Sequence, residues 1–424
     1  MDSGPFTEPL PTRSAPATER PYAILRNNRD FSLYLIARFI AALGQQMLTV
    51  AVMWELYVRT HSSLALGLVG LTQMVPMVLL ILPAGHIADN YERKRTILAM
   101  VLLATLSSLG LMLISAFRAD VRWIYGCLFA AGVARTFLWP ASQAFLPQLV
   151  PRRSFSRAVT WNTGAFHLSS VLGPAAGGAL IALTHQAVVV YAINAVATLI
   201  CLTLIALVRS RQPVLAREDM SVSSLLAGFK FVYRTKIILG TITLDLFAVL
   251  LGGATALLPV YAKDILRVGP TGLGILQAAL PLGSVISAFY LAHRSPLQRA
   301  GHALVWAVTA FGLATVVFGL SRSFWLSFAM LFVCGAVDNV SVVVRHTLVQ
   351  LLTPDEMRGR VSAVNSLFIG TSNELGGFES GFVAHFFGPI FSVVAGGVGT
   401  IIVVIATALI WPEIRKYGRL DGPD

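Results

Sequence analysis

The chain has 424 residues, of which 56% are apolar and only 12% charged, and its mean hydropathy is +0.73. That balance excludes an ordinary water-soluble domain and makes the bilayer the solvent. The formal net charge of +12, from 32 Lys and Arg against 20 Asp and Glu, does not indicate nucleic-acid binding, because the basic residues form short clusters between apolar stretches rather than one continuous stripe.

In chain order, residues 1–30 are polar and proline-bearing and lack a short apolar core followed by a small-residue cleavage site, so they read as a disordered cytoplasmic tail rather than a cleaved signal. A membrane-crossing helix needs about 20 apolar residues, since every backbone polar group must be satisfied within the segment. The stretches that meet this test are 31–58, 66–89, 96–117, 121–148, 158–184 and 187–208, then 236–262, 270–292, 300–320, 324–349, 360–387 and 389–411. The expectation is an all-α membrane protein with twelve transmembrane helices in two six-helix halves, 31–208 and 236–411, joined by a cytoplasmic linker (209–235) and followed by a cytoplasmic tail (412–424). The three cysteines, Cys127, Cys201 and Cys334, fall inside apolar stretches without paired spacing, so neither a disulfide framework nor a metal site is expected, and no cofactor is.

Alternate connections test the count. With both termini inside, the cytoplasmic set holds 23 Lys and Arg and the outside set holds 6, with Arg38, Arg135 and Arg345 inside spans. This is the asymmetry that orients a multi-pass protein, and it places both termini in the cytoplasm. A repeat near offset 203 supports duplication: Gln148, Pro151, Arg157 and Asn162 align with Gln350, Pro354, Arg360 and Asn365, and Gly67, Leu68 and Pro76 align with Gly272, Leu273 and Pro281.

Between spans two and three runs GHIADNYERKR (85–95), a glycine for close helix approach, an aspartate at the helix end and three cations in a tight turn. It resembles the signature of the major facilitator superfamily, G-x-x-x-D-R-x-G-R-[RK], with Gly85, Asp89, Arg93 and Lys94 on its positions, Asn90 in place of a basic residue and Glu92 in place of the second glycine. The resemblance implies the major facilitator fold, and implies that Asp89 and Arg93 gate the two halves; a plain cytoplasmic charge cluster is the alternative. Span five carries GPAAGG (173–178), where Pro174 breaks a helical hydrogen bond and Gly173, Gly177 and Gly178 allow close packing. This resembles the core of the antiporter motif of drug exporters, with GGFESG (376–381) as its repeat mate, and a simple small-residue packing face explains it equally well. YERKRTIL (91–98), SLLAGFKF (224–231), QAALPLG (277–283) and TPDEMRGRV (353–361) are similar to stretches of the enterobactin-exporter and macrolide-efflux family of transmembrane secretion effectors. That resemblance implies proton-driven export of a hydrophobic or siderophore-like molecule.

Charged side chains near mid-bilayer cost about 2.5–3.5 kcal/mol on insertion scales, so those present face the bundle interior and mark a pathway or a structural pair. They are Arg38, Arg135, Asp245, Asp338, Arg345, Glu374 and Glu379, with Asn373 a further cavity candidate. Asp338 and Arg345 lie seven apart on one helix face, and Asp338 could pair with Arg135 or Arg345. Asp245, Asp338 or Glu374 is expected to take up a coupling proton, because a carboxyl withdrawn from water holds its proton more tightly. His167, His346 and His385 read as hydrogen-bonded packing residues. Trp54, Trp123, Trp325 and Trp411 read as interfacial anchors, and Gln45, Gln46, Asn162, Asn194 and Asn339 as cavity lining or polar glue. No phosphate-cradling G-x-x-x-x-G-K-[ST] run is present, so an ATPase is not expected, nor any enzyme. The expected partners are a small-molecule substrate, protons and the bilayer, with the protein a monomer in the inner (plasma) membrane. Import of a metabolite or lipid-like molecule on the same scaffold is the alternative, and a transporter-like sensor a weaker one.

Overall fold

The computed structural model describes residues 23–209, 222–294, 299–413 and 418, and among them there is no strand. The outer parts of the two tails and residues 210–221 of the expected linker lie outside the described residues. Twelve long helices follow in order. The first six are α1 (Arg29–Thr60), α2 (Ser63–Asn90), α3 (Arg93–Ala116), α4 (Arg122–Leu149), α5 (Phe155–Thr184) and α6 (Val188–Ala206). The last six are α7 (Lys236–Leu251), α8 (Gly269–Ala292), α9 (Ala300–Leu320), α10 (Phe324–Leu352), α11 (Arg358–Phe387) and α12 (Pro389–Ile410).

Eleven of these segments are both long and apolar enough to cross a bilayer, α7 when taken with the residues that continue it to Ile265. The exception to the expected twelve is α11, whose 30 residues give ample length while Asn365, Ser366, Ser372, Asn373 and Glu374 dilute its apolar character. Those polar side chains survive because α11 packs along α2 and α7 rather than standing alone in lipid.

α7 departs from the expected continuous span 236–262. Its α-helix stops at Leu251, the pair Gly252–Gly253 interrupts it, and the chain continues through a 3₁₀ turn (Ala254–Leu257) and a π-helical segment (Tyr261–Ile265). Glycine removes the side chain that would stiffen the helix there, and a Cβ on Gly253 would stand 2.7 Å from Ser380 Oγ on α11.

The packing repeats with a shift of six helices. α1 packs on α5 and α6, α2 on α4, and α3 on α4 and α6; α7 packs on α11 and α12, α8 on α10, and α9 on α10 and α12. The two sets meet chiefly through α2 with α11 and α5 with α8, one being the repeat mate of the other. This is the major facilitator architecture of two pseudo-symmetric six-helix units.

The hydrophobic core is divided unevenly between the two ends of this bundle. We call the end with the α2–α3 and α4–α5 turns the terminal face and the opposite end the far face. One large cluster near the far face draws on both units, from Met53, Leu56, Leu66 and Tyr191 to Leu257, Tyr261, Leu273 and Phe318. Toward the terminal face the clusters separate: Phe31, Tyr34, Ile97, Phe145 and Ile205 form one within the first unit, while Leu244, Leu304 and Leu348, and Val232, Ile238 and Val361, form two within the second. The units are therefore sealed together at the far face and packed separately at the terminal face.

Candidate functional site

The far-face seal is built from backbone approaches that only glycine permits. On α5, Gly173 and Gly177 turn toward α1, where added Cβ atoms would lie 2.5 Å from Gln46 Cβ and 2.9 Å from Met47 Cα. Gly178 turns the other way, to α8, where a Cβ would meet the Pro270 carbonyl and lie 3.0 Å from Gly274 Cα. On α11 the pattern recurs: Gly376 faces Leu250 of α7, and Gly381 faces α2, a Cβ there falling 2.6 Å from Gly67 Cα. The GPAAGG stretch and its mate thus serve two surfaces each, one inside their own unit and one across the seam.

A polar latch closes the same face, and sequence reading missed it. Tyr57, near the end of α1, donates its hydroxyl to Asp264 beyond α7, and the Lys263 ammonium sits 5.5 Å from the Tyr57 ring centroid. Glu55 and Arg59, one turn apart on α1, are bonded at 3.2 Å, and Arg59 also donates to the Ala119 carbonyl. Tyr57 lies near a span end, but nothing in the chain around residue 57 indicates a partner 207 positions away. Replacing Tyr57 with Phe removes a hydrogen bond to a charged group, an interaction of about 1.5–3 kcal/mol, so the far-face-closed population should fall roughly tenfold or more. Spin labels at residues 62 and 267 would read this as a longer distance; an unchanged distribution rules out the latch.

At mid-depth Arg135 of α4 reaches across the seam to Glu374 of α11 at 3.0 Å, with Gln73 of α2 at 3.4 Å. The Arg135 side chain is 67% exposed and that of Glu374 18%, so the cation faces the space between the units. This ion pair joins the two units. Within the second unit, Arg345 of α10 is in direct contact with Asp245 of α7, both side chains under 10% exposed, and its Nε donates to the Ser341 carbonyl at 3.3 Å. Asp338 lies two turns away on α10. It shares with Asp245, Phe311 and Ser341 a cavity of about 10 Å³, room for about one water. The expected pairing of Asp338 with Arg135 or Arg345 is therefore corrected: each arginine takes a different carboxylate, because α4 abuts α11 across the seam while α10 abuts α7.

The remaining candidates are dispersed. Arg38 lies partly buried on α1, in the field of Tyr34 and Cys201. Glu379 accepts from Ser380 Oγ at 3.4 Å, and the Asn373 amide folds back onto the Ile369 carbonyl at 2.7 Å. Gln46 and Asn194 act as polar glue, bonded to Ser170 at 3.1 Å and to Ser108 at 2.7 Å. His346 and His385 are exposed, which corrects their reading as packing residues, and His167 is partly buried beside the Phe166 ring.

At the terminal face, Gly85 is buried, and the Asp89 side chain lies outside the described residues. Arg93 donates to the carbonyls of Ala88 at 3.2 Å and Ala144 at 3.1 Å, holding the α2–α3 turn against α4. Lys94 donates to the carbonyls of Ala206 at 2.9 Å and Val208 at 2.7 Å, capping the C-terminus of α6. Both cations thus tie together helices of the first unit.

The comparisons agree with this architecture. A family model described as transmembrane secretion effector matches residues 19–417. The enterobactin exporter EntS of Shigella boydii is 27% identical over 396 residues, spanning 93% of this chain and 95% of that protein. Among solved structures, a POT family transporter in complex with 5-aminolevulinic acid superposes with a TM-score of 0.73 at 13% identity, over 91% of this chain and 97% of its own. A bacterial homolog of the human lysosomal transporter Spinster gives 0.67 at 14% identity, over 94% and 96%. The paired units, their glycine seams and the match over nearly the whole length lead to one assignment: the chain is a multi-pass membrane transporter of the major facilitator type and belongs to the transmembrane secretion effector family.

Proposed function

We propose that the protein exports a small hydrophobic or siderophore-like molecule across the inner (plasma) membrane, driven by protons and working by alternating access as a monomer. The observation that carries this reading is the 27% identity to an enterobactin exporter over 93% of the chain. The excess of Lys and Arg in alternate connections supports a cytoplasmic location for both termini. In that orientation the far face is periplasmic, and a core shared between the units only near that face corresponds to a transporter open toward the cytoplasm, ready to load cargo for export.

The coupling proton is taken up inside the bundle, at Asp245, Asp338 or Glu374. Glu374 is bonded across the seam to Arg135 and must part from it when the seam changes sides, while Asp245 and Asp338 share a small cavity beside Arg345 inside the second unit; at either place the exchange of a proton for a guanidinium is the chemistry available. Asp89, Arg93 and Lys94 serve as the terminal-face gate, which closes when the far face opens.

The test is the accumulation of a panel of hydrophobic compounds and siderophores in cells with and without the protein, before and after a protonophore. Lower accumulation that the protonophore abolishes supports the proposal; raised accumulation replaces export with import. With a transported compound in hand, Asp245→Asn, Asp338→Asn and Glu374→Gln should each be assayed. At least one should abolish proton-driven transport while still binding cargo, and intact coupling in all three would refute uptake at these groups.

A further inference from the structure

Between α6 and α7 the structure contains a short helix, Val222–Arg234, outside the twelve long helices. One side of it is anchored. Phe229, Phe231 and Val232 pack into the cluster of Ile238, Val349, Val361 and Val364, and the Phe229 ring meets Phe368 edge-on at 5.7 Å. Gly228 lies against the backbone of α11, where a Cβ would stand 2.9 Å from the Arg360 carbonyl oxygen. The helix therefore rides on the first turns of α11.

The other side faces outward with a different chemistry. Leu226 and Tyr233 are 61% and 77% exposed, and Lys230, Arg234 and Lys236 are exposed beside them. Arg358 and Arg360, also exposed, continue the basic surface onto α11, with Glu356 the exposed acid nearby. The helix precedes α7 at the terminal face, so this surface lies level with the helix ends, where lipid headgroups meet water. An apolar and aromatic strip flanked by cations at that depth matches an interfacial helix seated on anionic lipid.

We infer that Val222–Arg234, with Lys236 and the start of α11, binds the phosphodiester headgroups of anionic phospholipids such as phosphatidylglycerol. Leu226 and Tyr233 enter the acyl boundary, and Lys230, Arg234 and Lys236 hold the phosphates. Because the helix is locked to α11, which carries Glu374 and the Gly381 seam, headgroup binding steadies the helix that links the two units. This inference does not depend on the direction of transport or on the cargo.

The experiment uses the full chain in nanodiscs of phosphatidylcholine with increasing phosphatidylglycerol, reading the thermal midpoint and the number of retained phosphatidylglycerol molecules. The variant Lys230→Gln/Arg234→Gln/Lys236→Gln is compared with Arg152→Gln/Arg153→Gln, a basic pair on the same face away from this helix. Wild type should gain stability with phosphatidylglycerol. The triple variant should match it in pure phosphatidylcholine yet bind phosphatidylglycerol about a hundredfold more weakly, three cations each contributing near the membrane surface. The Arg152 and Arg153 variant should lose far less. Equal losses in both variants would reduce the effect to general surface charge and overturn the assignment, as would stabilisation of wild type by glycerol phosphate alone. If the triple variant proves unstable in phosphatidylcholine, Lys230→Gln and Arg234→Gln singly carry the same comparison, each expected to lower affinity several-fold.

Discussion

Replacing Arg345 with Leu should destabilise the protein by roughly 3–5 kcal/mol, and adding Asp245→Leu to that variant should return most of the loss. The guanidinium and carboxylate are in direct contact, with side chains 9% and 8% exposed, so neither has water to fall back on. Removing the cation leaves Asp245 and Asp338 in one small pocket lined by Ala248, Val249, Ala307 and Phe311, with no compensating charge. Removing both members of the pair leaves Asp338 as the one carboxyl in that pocket, where a single buried carboxyl can hold its proton and stay neutral, and apolar replacement of a buried pair is often neutral or stabilising. A double-mutant cycle on thermal midpoints in detergent measures the coupling. A double variant as unstable as Arg345→Leu alone would mean that Asp338, not Asp245, is the group the arginine chiefly compensates. Transport separates structure from chemistry. A purely structural pair predicts that the stable double variant still transports, whereas a stable but inactive double variant identifies the pair as part of the coupling machinery.

The cycle matters because the pair was not legible in the chain. Apart from 236–262, whose helix breaks after Leu251, each expected span overlaps its helix closely, since length and apolarity set by the bilayer are local properties: 300–320 corresponds to Ala300–Leu320 and 389–411 to Pro389–Ile410. Duplication was legible too, and one glycine in each of the stretches 173–178 and 376–381, Gly178 and Gly381, faces across the seam while Gly173, Gly177 and Gly376 pack inside their own units. Partner choice was not. Asp245 and Arg345 are 100 residues apart and Arg135 and Glu374 are 239 apart; seven-residue spacing placed Asp338 and Arg345 on one face of α10, but only the packing of α7 on α10 decides which carboxylate the guanidinium meets. The break in α7 had a signal, Gly252–Gly253, that hydropathy averaging passes over. The Tyr57–Asp264 latch had none, because a tyrosine at a span end reads as an interfacial anchor whatever it bonds.

Leu at Gly178 should abolish transport and move the protein toward the state open at the far face, whereas Leu at Gly173, five residues away on the same helix, should lower stability without that shift. The two glycines sit on opposite contacts of α5. Gly178 opposes backbone of α8, with Gly274 Cα 3.0 Å from where a Cβ would stand, and backbone has no rotamer through which to yield. Gly173 opposes the Gln46 side chain and the Leu43 carbonyl on α1, within its own unit. Overpacking costs typically 1–3 kcal/mol. Across the seam that energy falls on the far-face-closed state alone, because the contact dissolves when the face opens, so the ratio of closed to open protein should drop by roughly five- to 150-fold. Inside the unit the same energy is present in both states and appears only as a lower thermal midpoint. Gly381→Leu, facing Gly67 Cα at 2.6 Å, should reproduce the Gly178 result by the repeat symmetry. Gly164→Leu, on the same helix with open space around it, should do neither. Spin labels at residues 62 and 267 report the equilibrium and thermal unfolding reports stability, so the two effects can be scored separately. If Gly178→Leu lowers the midpoint but leaves the label distance unchanged, the α5–α8 contact is packing shared by both states, and the Tyr57–Asp264 latch is left to hold the far face closed.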